Sequence, residues 1–198
     1  MKKIFIKINR FSLDDIKLIA NELKNGKVIA YPTDTIYGLG CDGTNVKSIN
    51  RVYRIKKRPK TKPMLILISG FEMFRKYFCV NKDQLDFLKQ IWPGPYTAVL
   101  KAKKSLPANL QTKDQGAGVR FPKNKFLIEL IKKLDRPLVS TSLNISGDKN
   151  IININEIERY FPKGSLPDLL INAGKLPWKK PSTVIDLRDI YNIKILRK

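Results

Sequence analysis

The sequence predicts a single α/β (α+β) domain in which helices pack around a mixed sheet. Apolar runs of strand length alternate with amphipathic helical segments along the chain, the pattern that builds layered α/β and α+β folds. The length of 198 residues suits one domain, and no repeat or low-complexity linker divides it. We therefore expect residues 1–198 to fold as one unit.

The first half of the chain predicts strands and helices with clear end signals. Residues 3–8 alternate as a strand, and Ser12 with Asp15 forms a capping box that starts a helix ending near Gly26. The next predicted elements are a strand over 27–31 ended by Pro32, a loop, a helix over about 46–57 and a strand over 64–68.

The second half predicts mostly short strands. A helix over 84–91 is stopped by the Pro93-Gly94-Pro95 turn, and residues 125–134 form an amphipathic helix. The remaining predicted elements are strands over 96–102, 118–121, 137–141, 169–171, 183–187 and 193–196, and a short helix over 153–161.

Composition excludes several kinds of site and favours an anionic ligand. The absence of histidine excludes His-based triads and zinc sites with His ligands, and Cys41 and Cys79 predict no disulfide framework. The net charge of +22 attracts polyanions such as nucleotides or RNA, although a compositional bias toward Lys, Ile and Asn accounts for much of it. With no signal peptide and no apolar run near the ~20 residues of a membrane span, we expect a cytoplasmic protein.

The segment 31–40, YPTDTIYGLG, is the first of several that carry more polar residues than a connection needs. It follows a buried strand and places hydroxyls and glycines at the strand's carboxyl end, where α/β sheets commonly bind ligands. A turn capped locally by Thr33 and Asp34 is the alternative. Its glycines match G-x-G-x-x-G with Gly43, but no acidic residue follows near position 60, so we reject a dinucleotide-binding fold.

The basic segment 56–63, KKRPKTKP, lies between a helix and a buried strand. Its two prolines fix the backbone, which favours Arg58 and Lys62 as a clamp for phosphates. A solvated charge run at a helix C-terminus is the alternative. Because no G-x-x-x-x-G-K-[ST] sequence is present, side chains and not a P-loop would bind a triphosphate.

Arg120 stands inside an apolar strand, where an unpaired charge is costly. Its partner is either an internal carboxylate or the carboxylate of a small substrate, and the sequence leaves both open. Two hydroxyl-rich segments, 140–147 (STSLNISG) and 181–187 (PSTVIDL), adjoin buried strands and suit an anion-binding site.

The polar segments occur in the order found in the YrdC/Sua5 family, called TsaC in bacteria, and the chain resembles that family. They are YPTDTIYGLGCD, IKKRPKTKPM, WPGPYT, VRFP, STSLNISG and PSTVIDL. The resemblance implies a single-domain YrdC-like fold, a twisted mixed sheet flanked by helices with a basic concave cavity. It also implies the short bacterial branch, which lacks the additional C-terminal domain of the longer branch.

The resemblance further implies a nucleotidyltransferase, L-threonylcarbamoyladenylate synthase. Such an enzyme condenses L-threonine, bicarbonate or CO2 and ATP, with Mg2+ accompanying the ATP, and releases pyrophosphate. The product serves N6-threonylcarbamoyladenosine (t6A) modification at position 37 of ANN-decoding tRNAs. Implied partners are therefore tRNA and other t6A-pathway proteins, and not a membrane. No covalent nucleophile is implied, because positioning and charge stabilisation can carry this chemistry.

The same resemblance implies roles for individual residues, none of them a metal ligand. The implied threonine contacts are Thr35, Leu67, Arg120, Ser140 and Ser182. The implied ATP contacts are Arg58, Lys62, Lys56, Gly116, Ser142, Asn144, Asn150 and Arg197. Relatives read Ser-Ala-Asn where this chain has Leu143 in the middle, so this larger side chain either packs behind the loop or narrows the pocket.

Two other functions fit parts of the sequence. One is a YrdC-like domain that binds RNA or ribosomal precursors without chemistry, which the basic charge favours. The other is a related synthase or carbamoyl-transfer domain with different substrates. Against RNA binding alone, the sequence carries no recognisable RNA-binding module.

Overall fold

The computed structural model describes residues 2–5, 10–151, 153–162, 164–177 and 179–198. Both strands and helices occur throughout this part of the chain. The strands are β1 (Lys2–Phe5), β2 (Ile29–Pro32), β3 (Tyr37–Gly40), β4 (Leu65–Leu67), β5 (Tyr96–Lys101), β6 (Gly116–Arg120), β7 (Leu138–Ser142), β8 (Leu169–Asn172), β9 (Thr183–Asp186) and β10 (Lys194–Arg197). The α-helices are α1 (Leu13–Lys24), α2 (Val46–Lys56), α3 (Phe71–Tyr77), α4 (Lys82–Ile91), α5 (Lys125–Leu134) and α6 (Ile157–Tyr160). Short 3-10 turns cover Ala108–Leu110 and Ile154–Glu156.

The strands form one ten-stranded mixed sheet in the order β1-β8-β2-β3-β7-β4-β6-β5-β9-β10. The β1–β8, β2–β8, β4–β6 and β5–β9 pairs are parallel, and the other described pairs are antiparallel. The predicted α/β (α+β) class with a mixed sheet is therefore confirmed.

The central strands bury one face in the hydrophobic core. Successive side chains of a strand point to opposite faces, so the pairing register decides which residues share a face. The pairs Val139–Ile66, Ile66–Val119, Val119–Ala98 and Ala98–Ile185 run as one row from β7 to β9. All five side chains are buried in the core. The residues between them occupy the opposite face, where the candidate site lies.

The start of the chain and two of its helices follow the sequence prediction closely. Ser12 and Asp15 form the predicted capping box of α1, and α5 has the predicted bounds. The predicted strand over 3–8 is present as β1, while residues 6–9 lie outside the described residues. None of the helices described is both long enough and apolar enough to cross a membrane.

Residues 37–40, which the sequence analysis assigned to a loop, instead form β3 between β2 and β7. A Cβ on Gly40 would lie 1.9 Å from the carbonyl oxygen of Val139. The glycine is therefore required for close approach of two backbones, and not for contact with a ligand as its position suggested.

The helix α3 was absent from the sequence prediction. It has seven residues and no side-chain hydrogen bond at its N-cap, Gly70, so neither its length nor its start gives the usual signal. Burial of Met73 and Phe74 stabilises it in the folded protein.

Candidate active site

A cavity of about 370 Å³ lies over the face of the central strands that is turned away from the core row. Its wall takes mostly alternate positions along the central strands, with Thr141 of β7 as an exception. These positions are Leu65 and Leu67 in β4, Thr97 and Val99 in β5, Gly116, Gly118 and Arg120 in β6, Ser140 and Ser142 in β7, and Val184 in β9. The β2–β3 turn, residues 33–36, completes one side. The cavity thus extends along the strands, and is not confined to the strand ends that the sequence analysis expected.

Most of the predicted site residues lie together on this wall. All five predicted threonine contacts line the cavity: Thr35, Leu67, Arg120, Ser140 and Ser182. Of the predicted ATP contacts, Arg58, Gly116, Ser142, Asn150 and Arg197 line it, whereas Lys56, Lys62 and Asn144 do not. The fold brings these residues together in one site, and the role of each stays a prediction.

Two arginines of the wall are held in place by backbone carbonyls. Arg58 donates from Nε to the Lys62 carbonyl (2.7 Å) and from Nη2 to the Pro63 carbonyl (3.1 Å). Arg197 donates from Nε (3.2 Å) and Nη2 (2.8 Å) to the Ser182 carbonyl. Among the described residues, neither Nη1 atom has a protein partner. Each guanidinium is therefore fixed and still has N–H groups for an anion.

Arg120 has a similar arrangement, and one of the two partners that the sequence allowed is present. It is 5% exposed, and it donates from Nε to the Gly94 carbonyl (3.0 Å) and from Nη2 to Asp34 Oδ2 (2.6 Å). The internal salt bridge is therefore present, yet Nη1 lacks a partner within the described chain and can bind a carboxylate. The other oxygen, Asp34 Oδ1, is buried without a hydrogen bond among these residues.

Lys56 lies behind the wall and organises the loop after β7. Its buried Nζ contacts Ser142 O (2.7 Å), Ser142 Oγ (3.2 Å), Asn144 O (3.2 Å) and Asn144 Oδ1 (2.7 Å). Because an ammonium has three donors, these four acceptors leave none for a ligand. Leu143 between them is fully buried and does not line the cavity, so it packs behind the loop.

The site has excess positive charge because Arg58 and Arg197 form no salt bridge with a described carboxylate. Burial lowers the pKa of Arg58. Burial, and then the positive charge of Arg58, lower the pKa of Arg197 and bring that of Lys56 to about 7. Among the described lining residues the one acid is Asp34, which is already paired with Arg120. An anionic ligand would relieve this repulsion.

Sequence reasoning missed several residues of the wall, most notably Thr97. Its Oγ1 lies 2.9 Å from Ser182 Oγ, and both side chains are buried. In β6, Gly116, Gly118 and Arg120 alternate with Ala117 and Val119, and that period of two was a usable signal for a cavity face opposite a core face. The β5 sequence YTAVLK has no such alternation, so it gave no comparable signal for Thr97.

Comparisons with known proteins agree with this fold. Residues 21–198 match the profile of the Sua5/YciO/YrdC family, described as "Telomere recombination". The chain is 33% identical to a Methanocaldococcus jannaschii protein provisionally named a threonylcarbamoyl-AMP synthase, over 98% of this chain and 93% of that one.

Two solved structures are also similar. E. coli YciO has a TM-score of 0.88 at 30% identity, over 100% of this chain and 96% of that one. Pyrococcus abyssi Sua5 complexed with L-threonine has a TM-score of 0.90 at 28% identity. That match covers 100% of this chain but 57% of the Pyrococcus chain. Because the family profile spans most of the sequence, the chain belongs to the Sua5/YciO/YrdC family, as its six motifs predicted.

Proposed function

We propose that this cavity binds ATP, as its Mg2+ complex, together with L-threonine, and that the protein is a threonylcarbamoyl-AMP synthase. The observation that carries the proposal is the convergence of three fixed arginines, each with an unpartnered Nη1 among the described residues, on one cavity lined by hydroxyls. Triphosphate and amino-acid carboxylate are the anions that such a wall accommodates. The names of the similar proteins supply the substrates.

The chemistry needs two bond-forming steps and no protein nucleophile. The uncharged threonine amine attacks the carbon of bicarbonate, a C–O bond breaks, and water leaves to give the carbamate. A carbamate oxygen then attacks the α-phosphorus of ATP, and the α–β P–O bond breaks to release pyrophosphate. Fixed cations favour the second step, because negative charge builds up on the phosphate oxygens in the transition state.

The proposed roles follow from position and charge. The threonine carboxylate and hydroxyl are bound by Arg120, Ser140, Ser182 and Thr35. Leu67 contacts the carbon atoms of threonine. Arg58 and Arg197 bind the phosphates, with Ser142, Asn150 and the Gly116 backbone contacting the rest of the nucleotide. Lys56 and Asn144 act indirectly, through the shape of the loop that carries Ser142.

The product, a reactive mixed anhydride, must be consumed by a transferase. We propose that it serves t6A synthesis at position 37 of ANN-decoding tRNAs, that other proteins of that pathway receive it, and that the reaction takes place in the cytoplasm. The support for this step is the family resemblance.

The direct test is pyrophosphate release that depends on ATP, L-threonine and bicarbonate together. Arg58→Ala should lower kcat/KM for ATP by about 100-fold or more, the usual size of losing one fixed donor to a developing charge. Arg54→Ala, which removes an exposed arginine one turn earlier on α2, is the matched control and should stay within about twofold of the wild type.

Two results would contradict the proposal. One is a folded wild-type protein that releases no pyrophosphate with all three substrates but binds RNA tightly, which would establish the binding-protein alternative. The other is equal activity in Arg58→Ala and Arg54→Ala, which would remove Arg58 from the site.

A further inference from the structure

Three side chains on neighbouring strands form a hydrogen-bonded chain at one end of the cavity. Thr97 of β5 lies beside Ser182, which immediately precedes β9, and Arg197 of β10 lies on the far side of Ser182. The Thr97 Oγ1 to Ser182 Oγ distance is 2.9 Å, and Arg197 Nη2 lies 3.3 Å from Ser182 Oγ. All three residues line the cavity, and both hydroxyls are buried.

A count of donors and acceptors shows what this chain offers to a ligand. A hydroxyl donates one hydrogen bond and accepts two. Ser182 Oγ accepts from Arg197, so one of its lone pairs is used. One of the two hydroxyl protons lies between Thr97 and Ser182, and within the described residues the other has no acceptor.

The pair therefore presents a single O–H donor to the cavity. When Thr97 donates to Ser182, Ser182 accepts from two sides and its own proton points to the ligand. The guanidinium of Arg197 polarises that proton, since charge-assisted chains strengthen the donor at their end. Such a donor suits a substrate oxygen that carries negative charge or a lone pair.

We propose that Thr97 is a positioning residue for amino-acid binding, which acts by fixing the Ser182 hydroxyl as a donor to an oxygen of L-threonine. The same Arg197 guanidinium that orients Ser182 keeps Nη1 for the nucleotide, so the chain physically joins the two halves of the site. The inference rests on the proposed function, because it takes L-threonine as the ligand beside Ser182.

The test compares variants that keep or remove the Thr97 hydroxyl. Thr97→Val keeps the side-chain shape and should raise the KM for L-threonine about 5- to 10-fold, with the KM for ATP within about twofold of wild type. Thr97→Ser restores the hydroxyl and should return the threonine KM to within about twofold. If Thr97→Val does not fold, Thr97→Ala replaces it.

The matched control is Thr183→Val, one residue from Ser182 on β9. The Thr183 side chain does not line the cavity and has no hydrogen bond to any described residue, so this change should leave both KM values unaltered. In a Ser182→Ala background, Thr97→Val should add no further loss, because a residue that acts through Ser182 has nothing left to position.

The inference is overturned by any of three results: an equal rise in both KM values, Thr97→Ser as impaired as Thr97→Val, or an undiminished Thr97→Val effect in the Ser182→Ala background. Calorimetry of L-threonine with a non-hydrolysable ATP analogue gives the same comparison without turnover. A wild-type protein that binds threonine without releasing pyrophosphate would thus defeat the proposed function and still test Thr97.

Discussion

The cavity and the outer helical surface both carry cations, but they hold them differently. In the cavity, each of the three arginines donates hydrogen bonds from Nε and Nη2 to protein oxygens, and its Nη1 is unpartnered among the described residues. On the helices, Lys17, Lys89 and Lys132 are more than half exposed and pair with an acid three residues earlier. Exposed ion pairs of that kind contribute little to the stability of the protein. A fixed cation with spare donors therefore distinguishes the cavity from the rest of the surface better than the net charge of +22 does.

The largest effect on L-threonine binding is expected at Arg120, the most buried of the fixed arginines. Arg120→Lys replaces a planar fork by one ammonium, which cannot contact Asp34, the Gly94 carbonyl and a substrate carboxylate in the same way. We expect the KM for L-threonine to rise by about 10- to 150-fold, the equivalent of one charge-assisted hydrogen bond. The KM for ATP should change much less. Steady-state pyrophosphate release with each substrate varied gives both values.

Asp34→Asn separates a ligand role from the salt bridge. This variant weakens the ion pair but leaves the Arg120 guanidinium in place. If Arg120 serves only to pair with Asp34, then Asp34→Asn and Arg120→Lys should lose similar thermal stability. Each should also change the KM for L-threonine and the KM for ATP equally. A threonine KM that rises far more in Arg120→Lys would assign the Nη1 atom to the substrate.

Lys56 is buried, but unlike the three cavity arginines it has no donor left for a ligand. Burial lowers its pKa from 10.5 to about 7 in the folded protein. Between these values the unfolded chain binds the proton and the folded chain does not, so stability from this residue increases as pH rises. Relative to Lys56→Met, the wild-type free energy of unfolding should climb from pH 7 toward pH 10, by at most about 1.4 kcal/mol per pH unit. Urea titrations at fixed ionic strength measure it.

Lys57→Met is the control for that pH dependence. Lys57 is exposed and adjacent, so the stability difference between wild type and this variant should not vary over the same pH range. A Lys56→Met difference that is flat or falls with pH would show that Lys56 stays protonated, satisfied by its four oxygen contacts.

The sequence was sufficient for most of the fold where local signals are strong. The capping box at Ser12 and the apolar spacing of α5 are local, and both helices form as predicted. The strand β3 could not be found this way, because its glycines resemble a turn until β7 is placed beside it. The pairing of strands about 100 residues apart in sequence depends on tertiary structure, and local strand propensity does not predict it.

The sequence predicted which residues line the cavity better than it predicted how they are arranged. The family resemblance named ten residues that line the cavity, from Thr35 to Arg197, and six of them lie in the motifs. They did not reveal that Lys56 lies behind the wall, because a buried and an exposed lysine look the same in a basic run. The β5 sequence YTAVLK does not show that Thr97 lies on the cavity face, and only the sheet register places it there.

The smallest effect of the series is expected at Lys62, which the motif pairs with Arg58. The Lys62 side chain is exposed and does not line the cavity, while its carbonyl holds Arg58 Nε. Lys62→Ala keeps that carbonyl, so we expect the KM for ATP to rise by no more than about threefold, and less at high salt. Lys132→Ala, on the outer face of α5, should have no effect. If Lys62→Ala impaired ATP binding as severely as Arg58→Ala, an exposed lysine would be as effective as a fixed arginine, and the distinction between the two surfaces would fail.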